Sequence, residues 1–199
     1  MTERTAAKAA MREKILATAD RLFYGRGIRA VGVDTIAEEI GISKRTLYNH
    51  FPSKDALVAA YLERRFNKLP ITDQPPAAQI LGTFDRLARM FADRGFRGCP
   101  FVNAVAEIGE SGHTANRIAV EFKEQRRLWF RELLQRLDVP DAESLSMQLQ
   151  MLVDGAIATM LVRRDPKVAD AAKDAARALL VAAGVRLPKQ APVARSRRH

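Results

Sequence analysis

The stretch IAEEIGISKRTLYNHFPSK, residues 36–54, decides how the chain is read. Ile36, Ala37 and Ile40 recur at helical spacing and predict a short helix over residues 33–40. Gly41 stands where the chain must turn, because glycine takes positive φ at little cost. Ser43 is placed to cap a second short helix, residues 44–51, and Pro52 ends it. Leu47 and Phe51 are four apart and face the core together, which leaves Lys44, Arg45, Tyr48 and Asn49 on the outer face. Helix, tight turn and helix in this order is a helix-turn-helix, whose second helix can enter the DNA major groove.

The outward side chains have the right chemistry. Lys44 and Arg45 can donate to guanine O6 and N7, and Asn49 can bond adenine N6 and N7. Thr46 offers a hydroxyl or a methyl group. Tyr48 and His50 can reach phosphates, and Lys54 opens the next helix, where the dipole and the ammonium both attract phosphate. The plain alternative is a solvated polar helix with ordinary surface charge.

Outward from this unit, Met11, Ile15, Leu16, Ala19, Leu22 and Phe23 predict an amphipathic helix over residues 9–24, with residues 1–8 frayed. Gly25 and Gly27 stop it. After Ser53, the apolar stripe Leu57, Val58, Tyr61, Leu62, Phe66 and Leu69 predicts a longer helix. The run PITDQPP, residues 70–76, is the strongest punctuation in the chain. Five more helical patterns follow, the last two over residues 142–163 and 167–183. The expected architecture is all-α: a DNA-binding unit in residues 1–55, a connecting helix and linker in 56–76, a helical ligand-binding and dimerisation unit in 77–185, and a disordered basic tail in 186–199.

The formal charge of +10 is less informative than it looks. Arg186, Lys189, Arg195, Arg197 and Arg198 place half of it in the tail, whereas residues 1–55 hold ten Lys/Arg against seven Asp/Glu. A solvated basic tail explains the excess as well as an anionic partner does. No run of 18 or more apolar residues suggests a membrane span, and the N-terminal MTERTAAKAAMREK lacks the apolar core of a signal peptide. Cys99 is the single cysteine, so no internal disulfide and no zinc set are expected, and the default compartment is the reducing cytoplasm. Cys99 reads as a small buried hydrophobe, with Arg97 two positions away as the one hint of a redox-sensing thiol. His113 has no Cys or acid at metal-ligand spacing and reads as loop surface or pocket rim. No catalytic constellation, metal site or cofactor site is apparent.

Residues 15–62 resemble the TetR family of bacterial repressors. The resemblance rests on ILATADRLFYGRG, on the IAEEIGIS turn and on TLYNHFPSKDAL. It implies an all-helical homodimer that binds a double-stranded DNA operator, with a divergent C-terminal domain whose small-molecule effector releases the DNA. It also implies that Lys44, Arg45, Thr46, Tyr48, Asn49, His50 and Lys54 occupy DNA-contacting positions. One departure stands out: many members cap the second helix with Ser or Thr, and Gly32 holds that place here. The neighbouring Asp34 is unhelpful beside a phosphate and can instead accept from a cytosine amine. The segment RGCPFVNAVAEIGE resembles a stretch found in one subgroup of the family.

The implied effector pocket has candidates in Phe84, Phe101, Asn103, Glu107, Trp129, Met147 and Met151, although each aromatic or Met is as readily core. Asn103 and Glu107, four apart, share a helix face, and an inward Glu107 would suit a cationic ligand. The dimer is expected to form through the last two helices, with no membrane partner. The reading is therefore a ligand-released, DNA-binding regulator, a repressor rather than an enzyme. Its rivals are a helical scaffold that uses the motif on protein, a small helical enzyme, and, within the family, an activator.

Overall fold

The computed structural model describes residues 3–67, 69–109 and 112–187. Among these residues the chain is entirely helical: α1 Glu3–Arg26, α2 Val33–Ile40, α3 Lys44–Tyr48, α4 Lys54–Arg65, α5 Pro76–Phe91, α6 Pro100–Ile108, α7 Thr114–Gln135, α8 Ala142–Arg163 and α9 Val168–Ala182. The basic tail expected at 186–199 lies outside the described residues beyond Leu187.

α1 begins at Glu3, so the expectation of frayed residues up to position 8 is corrected. Residues 4–10 are exposed there, and tertiary packing does not hold those first two or so turns. Ala6, Ala7, Ala9 and Ala10 supply helix propensity instead. Apolar periodicity marks only where the buried stripe starts, at Ile15.

α1 packs on α2 and α4, and α2 on α3, around Ile15, Ala19, Phe23, Ile36, Leu47, Phe51, Leu57 and Tyr61. α4 then leans on α7 and α6, which joins this small core to the larger one. α4 stops at Arg65, short of the predicted stripe through Leu69. Phe66 leaves the helix with ψ 81° and turns its ring against Phe101 of α6 and Phe122 of α7, at centroid distances of 6.2 and 5.5 Å. Those two rings stack at 3.9 Å. Aromatic contacts of this kind add to the value of their buried area, so a three-ring cluster outweighs another turn of helix.

α7 and α8 pack side by side, and α5 lies on α9. α8 is long and apolar enough to cross a membrane by length and composition, as the core helix of a bundle also can be. Its Leu145, Leu149, Val153, Ala156, Ile157 and Met160 are buried within the helical bundle instead. Its other face leaves Met147 and Met151 48% and 65% exposed, and Val162, near its end, and Val181 of α9 are also exposed.

Candidate nucleic-acid interface and cavity

The turn between α2 and α3 is built by glycine and serine. Gly41 sits in the left-handed region at φ 75°, and the N–H groups of Gly41 and Ile42 bond Glu38 O and Ala37 O at 3.1 and 3.0 Å. Ser43 Oγ accepts the Thr46 N–H at 3.1 Å and starts α3. Backbone bonds from Asn49 to Arg45 O and from Phe51 to Leu47 O carry the coil past the end of α3. Leu47 and Phe51 are buried, and the Arg12 guanidinium lies 4.6 Å from the Phe51 ring centre.

On the opposite face Lys44, Arg45, Tyr48 and Asn49 are exposed together, and Thr46, His50 and Lys54 are half-buried around them. Thr46 Oγ1 is within 2.9 Å of Ser43 Oγ, so its hydroxyl is already engaged. His50 Nδ1 is buried with no hydrogen-bond partner among the described residues. Lys54 is the first residue of α4, whose start is capped by Ser53 Oγ at 3.0 Å from Ala56 N. Gly32 is indeed the N-cap residue of α2 and provides no side-chain cap. Asp34, expected to be a liability, is held by Lys44 Nζ at 2.9 Å. This hydrogen bond and the charge of Asp34 raise the Lys44 pKa above its usual value, so each of the two groups is screened by the other before DNA arrives.

A cavity of about 1080 Å³ opens where α1, α4, α5 and α7 meet the turn before α6. Its wall takes Asp20 and Tyr24 from α1, Arg65 from α4, Leu87 from α5, Phe101 from α6 and Trp129 from α7. Arg65 grips Asp20 with two bonds, 2.5 and 2.9 Å, and lies 4.2 Å from the Tyr24 ring centre. Burial works against the Arg65 cation, but the Asp20 hydrogen bond and surrounding groups more than offset it and raise its pKa. Burial likewise pushes the Tyr61 phenol up. Cys99 is buried in the same wall.

Of the side chains expected to line a pocket, Phe101 and Trp129 do so, and five do not. Phe84 is core, 1% exposed on the inner face of α5. Asn103 donates to Arg97 O at 2.8 Å and braces the turn at Gly98. Glu107 accepts the Arg29 N–H at 2.9 Å, beside Gly27 in the α1–α2 connector. Met147 and Met151 project outward from α8. Asn103 and Glu107 do share a face, but Asn103 meets the turn before α6 and Glu107 the α1–α2 connector, and neither lines the cavity. His113 was also misplaced: its Nδ1 accepts the Ala115 N–H at 3.1 Å to cap α7, and its Nε2 lies 3.4 Å from Asp55 Oδ1 at the start of α4. With Tyr24 Oη, which donates to Gly98 O at 3.1 Å and accepts from Arg97 N at 3.0 Å, these contacts tie the first helices to the later ones at three places. No spacing within either segment announces such pairings.

Comparison with known proteins agrees with this geometry. Residues 15–61 match the family model of bacterial regulatory proteins of the tetR family, and residues 76–175 match that of the C-terminal domain of LmrA/YxaF-like transcriptional regulators. The HTH-type transcriptional regulator YjdC of Escherichia coli is 25% identical over 169 residues, covering 81% of this chain and 88% of YjdC. A crystal structure of a putative TetR transcriptional regulator, sav143 from Streptomyces avermitilis, is 31% identical with a TM-score of 0.80, covering 88% of this chain and 98% of that one. SCO4454, a TetR-family regulator from Streptomyces coelicolor, is 29% identical with a TM-score of 0.78, over 89% and 96% of the two chains. The capped helix-turn-helix, the helical body behind it and these matches across both halves lead to one assignment: the chain belongs to the TetR family, as a non-enzymatic, DNA-binding transcriptional regulator.

Proposed function

We propose that the protein is a homodimeric repressor that reads a palindromic operator with α3 and leaves it when a small molecule fills the cavity. One observation carries the reading: Asp20, Tyr24 and Arg65, which belong to the helices that support α3, form part of the cavity wall. A ligand in that space touches the DNA-binding helices directly. To act, it must bind more tightly to a dimer whose two α3 helices no longer match the operator.

Lys44, Arg45, Thr46 and Asn49 are assigned to base edges, and Tyr48, His50 and Lys54 to phosphates. The exposed face of α8 around Met147, Met151 and Gly155, with Val181 of α9, supports dimerisation through the last two helices, since exposed apolar side chains gathered on one face mark an interaction surface. A two-fold dimer would set its reading helices about 34–36 Å apart, one turn of DNA. Domain limits of 1–55, 56–76 and 77–185 fit this division of labour, as does a cytoplasmic location.

A genome-wide footprint of the purified protein tests the reading. Protected palindromes upstream of genes are expected. Arg45→Ala should lose base choice at one position per half-site, by roughly 1–3 kcal/mol, and Lys54→Ala should weaken every sequence and flatten the salt dependence. Protection without sequence preference would defeat it. Transcription that falls on deletion of the gene would replace repression with activation.

A further inference from the structure

The cavity is rich in arginine. Arg64, Arg65, Arg86, Arg126 and Arg131 face it, against only two acids, Asp20 and Glu132. Both acids are taken: Asp20 by Arg65, and Glu132 by Arg136 at 2.8 Å. Arg64 and Arg131 reach out of the cavity to Glu13 and Glu143. Arg86 and Arg126 remain, and neither makes an ion pair among the described residues. Arg86 has the Thr83 hydroxyl at 2.9 Å, and Arg126 has the Phe122 ring, whose centre is 4.9 Å from its guanidinium carbon.

The acids nearest to these two arginines are unavailable. The field of Asp154 reaches Arg126, but its two oxygens are held by Lys123 and by Gln150, the latter at 2.9 Å. Asp85, beside Arg86 in sequence, is paired with Lys173 at 2.6 Å. Burial lowers the pKa of Arg126. Burial and the charge of Arg89, with a smaller part from Arg126, lower that of Arg86 against the opposing charge of Asp85. A guanidinium stays charged regardless. Two like charges thus share a partly dry space with no carboxylate paired to either, an arrangement that a further anion would complete. A ring face compensates a cation only in part.

We infer that the effector is an organic anion, a carboxylate or sulfonate on an apolar body, with its charged end held by Arg126 and Arg86 and its body laid against Leu87, Phe101, Trp129 and Ile157. The planar fork of arginine suits a two-oxygen anion, and the volume suits a molecule of drug-like size. The inference rests on the proposed role of the cavity as the effector site. It reverses the expectation of a cationic ligand, because Glu107 lies elsewhere.

Trp129 is the only tryptophan and stands in the cavity wall, so its emission reports occupancy without DNA. The full-length protein is titrated with 8-anilinonaphthalene-1-sulfonate and with N-phenyl-1-naphthylamine, the same skeleton without the sulfonate. The sulfonate should quench Trp129 with about tenfold or greater preference in affinity. Arg126→Met should abolish that preference while the neutral probe binds as before, Arg126→Lys should retain part of it, and Arg94→Gln, on an exposed turn outside the cavity, should retain all of it. Decanoate should displace the sulfonate, and decanol should not. Equal affinity for the two probes in the unaltered protein overturns the inference, as does a preference that survives in both Arg126→Met and Arg86→Met. Should Arg126→Met fail to fold, the probe preference of the unaltered protein and the Arg86→Met titration decide. No arm uses DNA, so a protein that takes the anion yet fails to bind an operator refutes the repressor reading and leaves the anion site standing.

Discussion

Glu107, near the end of α6, accepts the backbone N–H of Arg29 at 2.9 Å across 78 positions of sequence. The bond fastens the α1–α2 connector, and with it the entry into the helix-turn-helix, to the helical body. A hydrogen bond to a charged acceptor contributes about 1.5–3 kcal/mol, less where water competes. Glu107→Ala is therefore expected to lower stability by roughly 1–2 kcal/mol in urea unfolding. Because Glu107 does not face the cavity, probe affinity at Trp129 should be unchanged.

The two glycines in left-handed conformations around the reading unit should respond differently to alanine. A Cβ on Gly41, φ 75°, meets nothing within 4 Å, so Gly41→Ala should show only the conformational cost, about 1–2 kcal/mol. At Gly27, φ 96°, the same Cβ would lie 3.1 Å from Glu107 Oε2. Gly27→Ala should therefore cost more than Gly41→Ala, and denaturant midpoints of the two variants check the order.

Asp34 holds Lys44 at 2.9 Å on an exposed surface. Asp34→Asn removes an acid from the face that meets DNA and frees the ammonium. Affinity for random duplex should rise a few-fold, and the slope of log K against log salt should steepen by about one. An unchanged slope would mean that the freed Lys44 does not reach a phosphate of random duplex.

Met151 is 65% exposed at the middle of α8. A charge there would be buried in a dimer made by α8 and α9, so Met151→Glu should convert the dimer to monomer in light scattering at micromolar concentration. A variant that remains dimeric would move the interface elsewhere.

The local parts of this fold were legible. The cap at Ser43, the turn at Gly41 and the inward pair Leu47 and Phe51 are contacts between near neighbours, and sequence spacing specifies those. The limits of α8 were legible for the same reason. The cavity was not. Asn103 and Glu107 have the spacing of a shared face, but nothing in the spacing says that the opposing surface is the Gly27–Arg29 connector. Met147 and Met151 look like core by composition, and only the placement of α7 and α9 shows that the inner face of α8 is already filled. In sequence Arg126 lies off the apolar positions Ile118, Phe122, Trp129 and Leu133 of its helix, as any solvated arginine would. Its lack of a paired carboxylate depends on Lys123 and Gln150 claiming Asp154, a property of α7 and α8 together.

The most direct test of the central claim is selection of bound sequences from a pool of random duplex DNA by the full-length protein and by Arg45→Ala. The expected result is one enriched palindrome with half-sites about one helical turn apart, altered at a single position per half-site by Arg45→Ala. No enriched sequence, or the same sequence enriched by both proteins, would contradict the assignment of α3 as the reading helix.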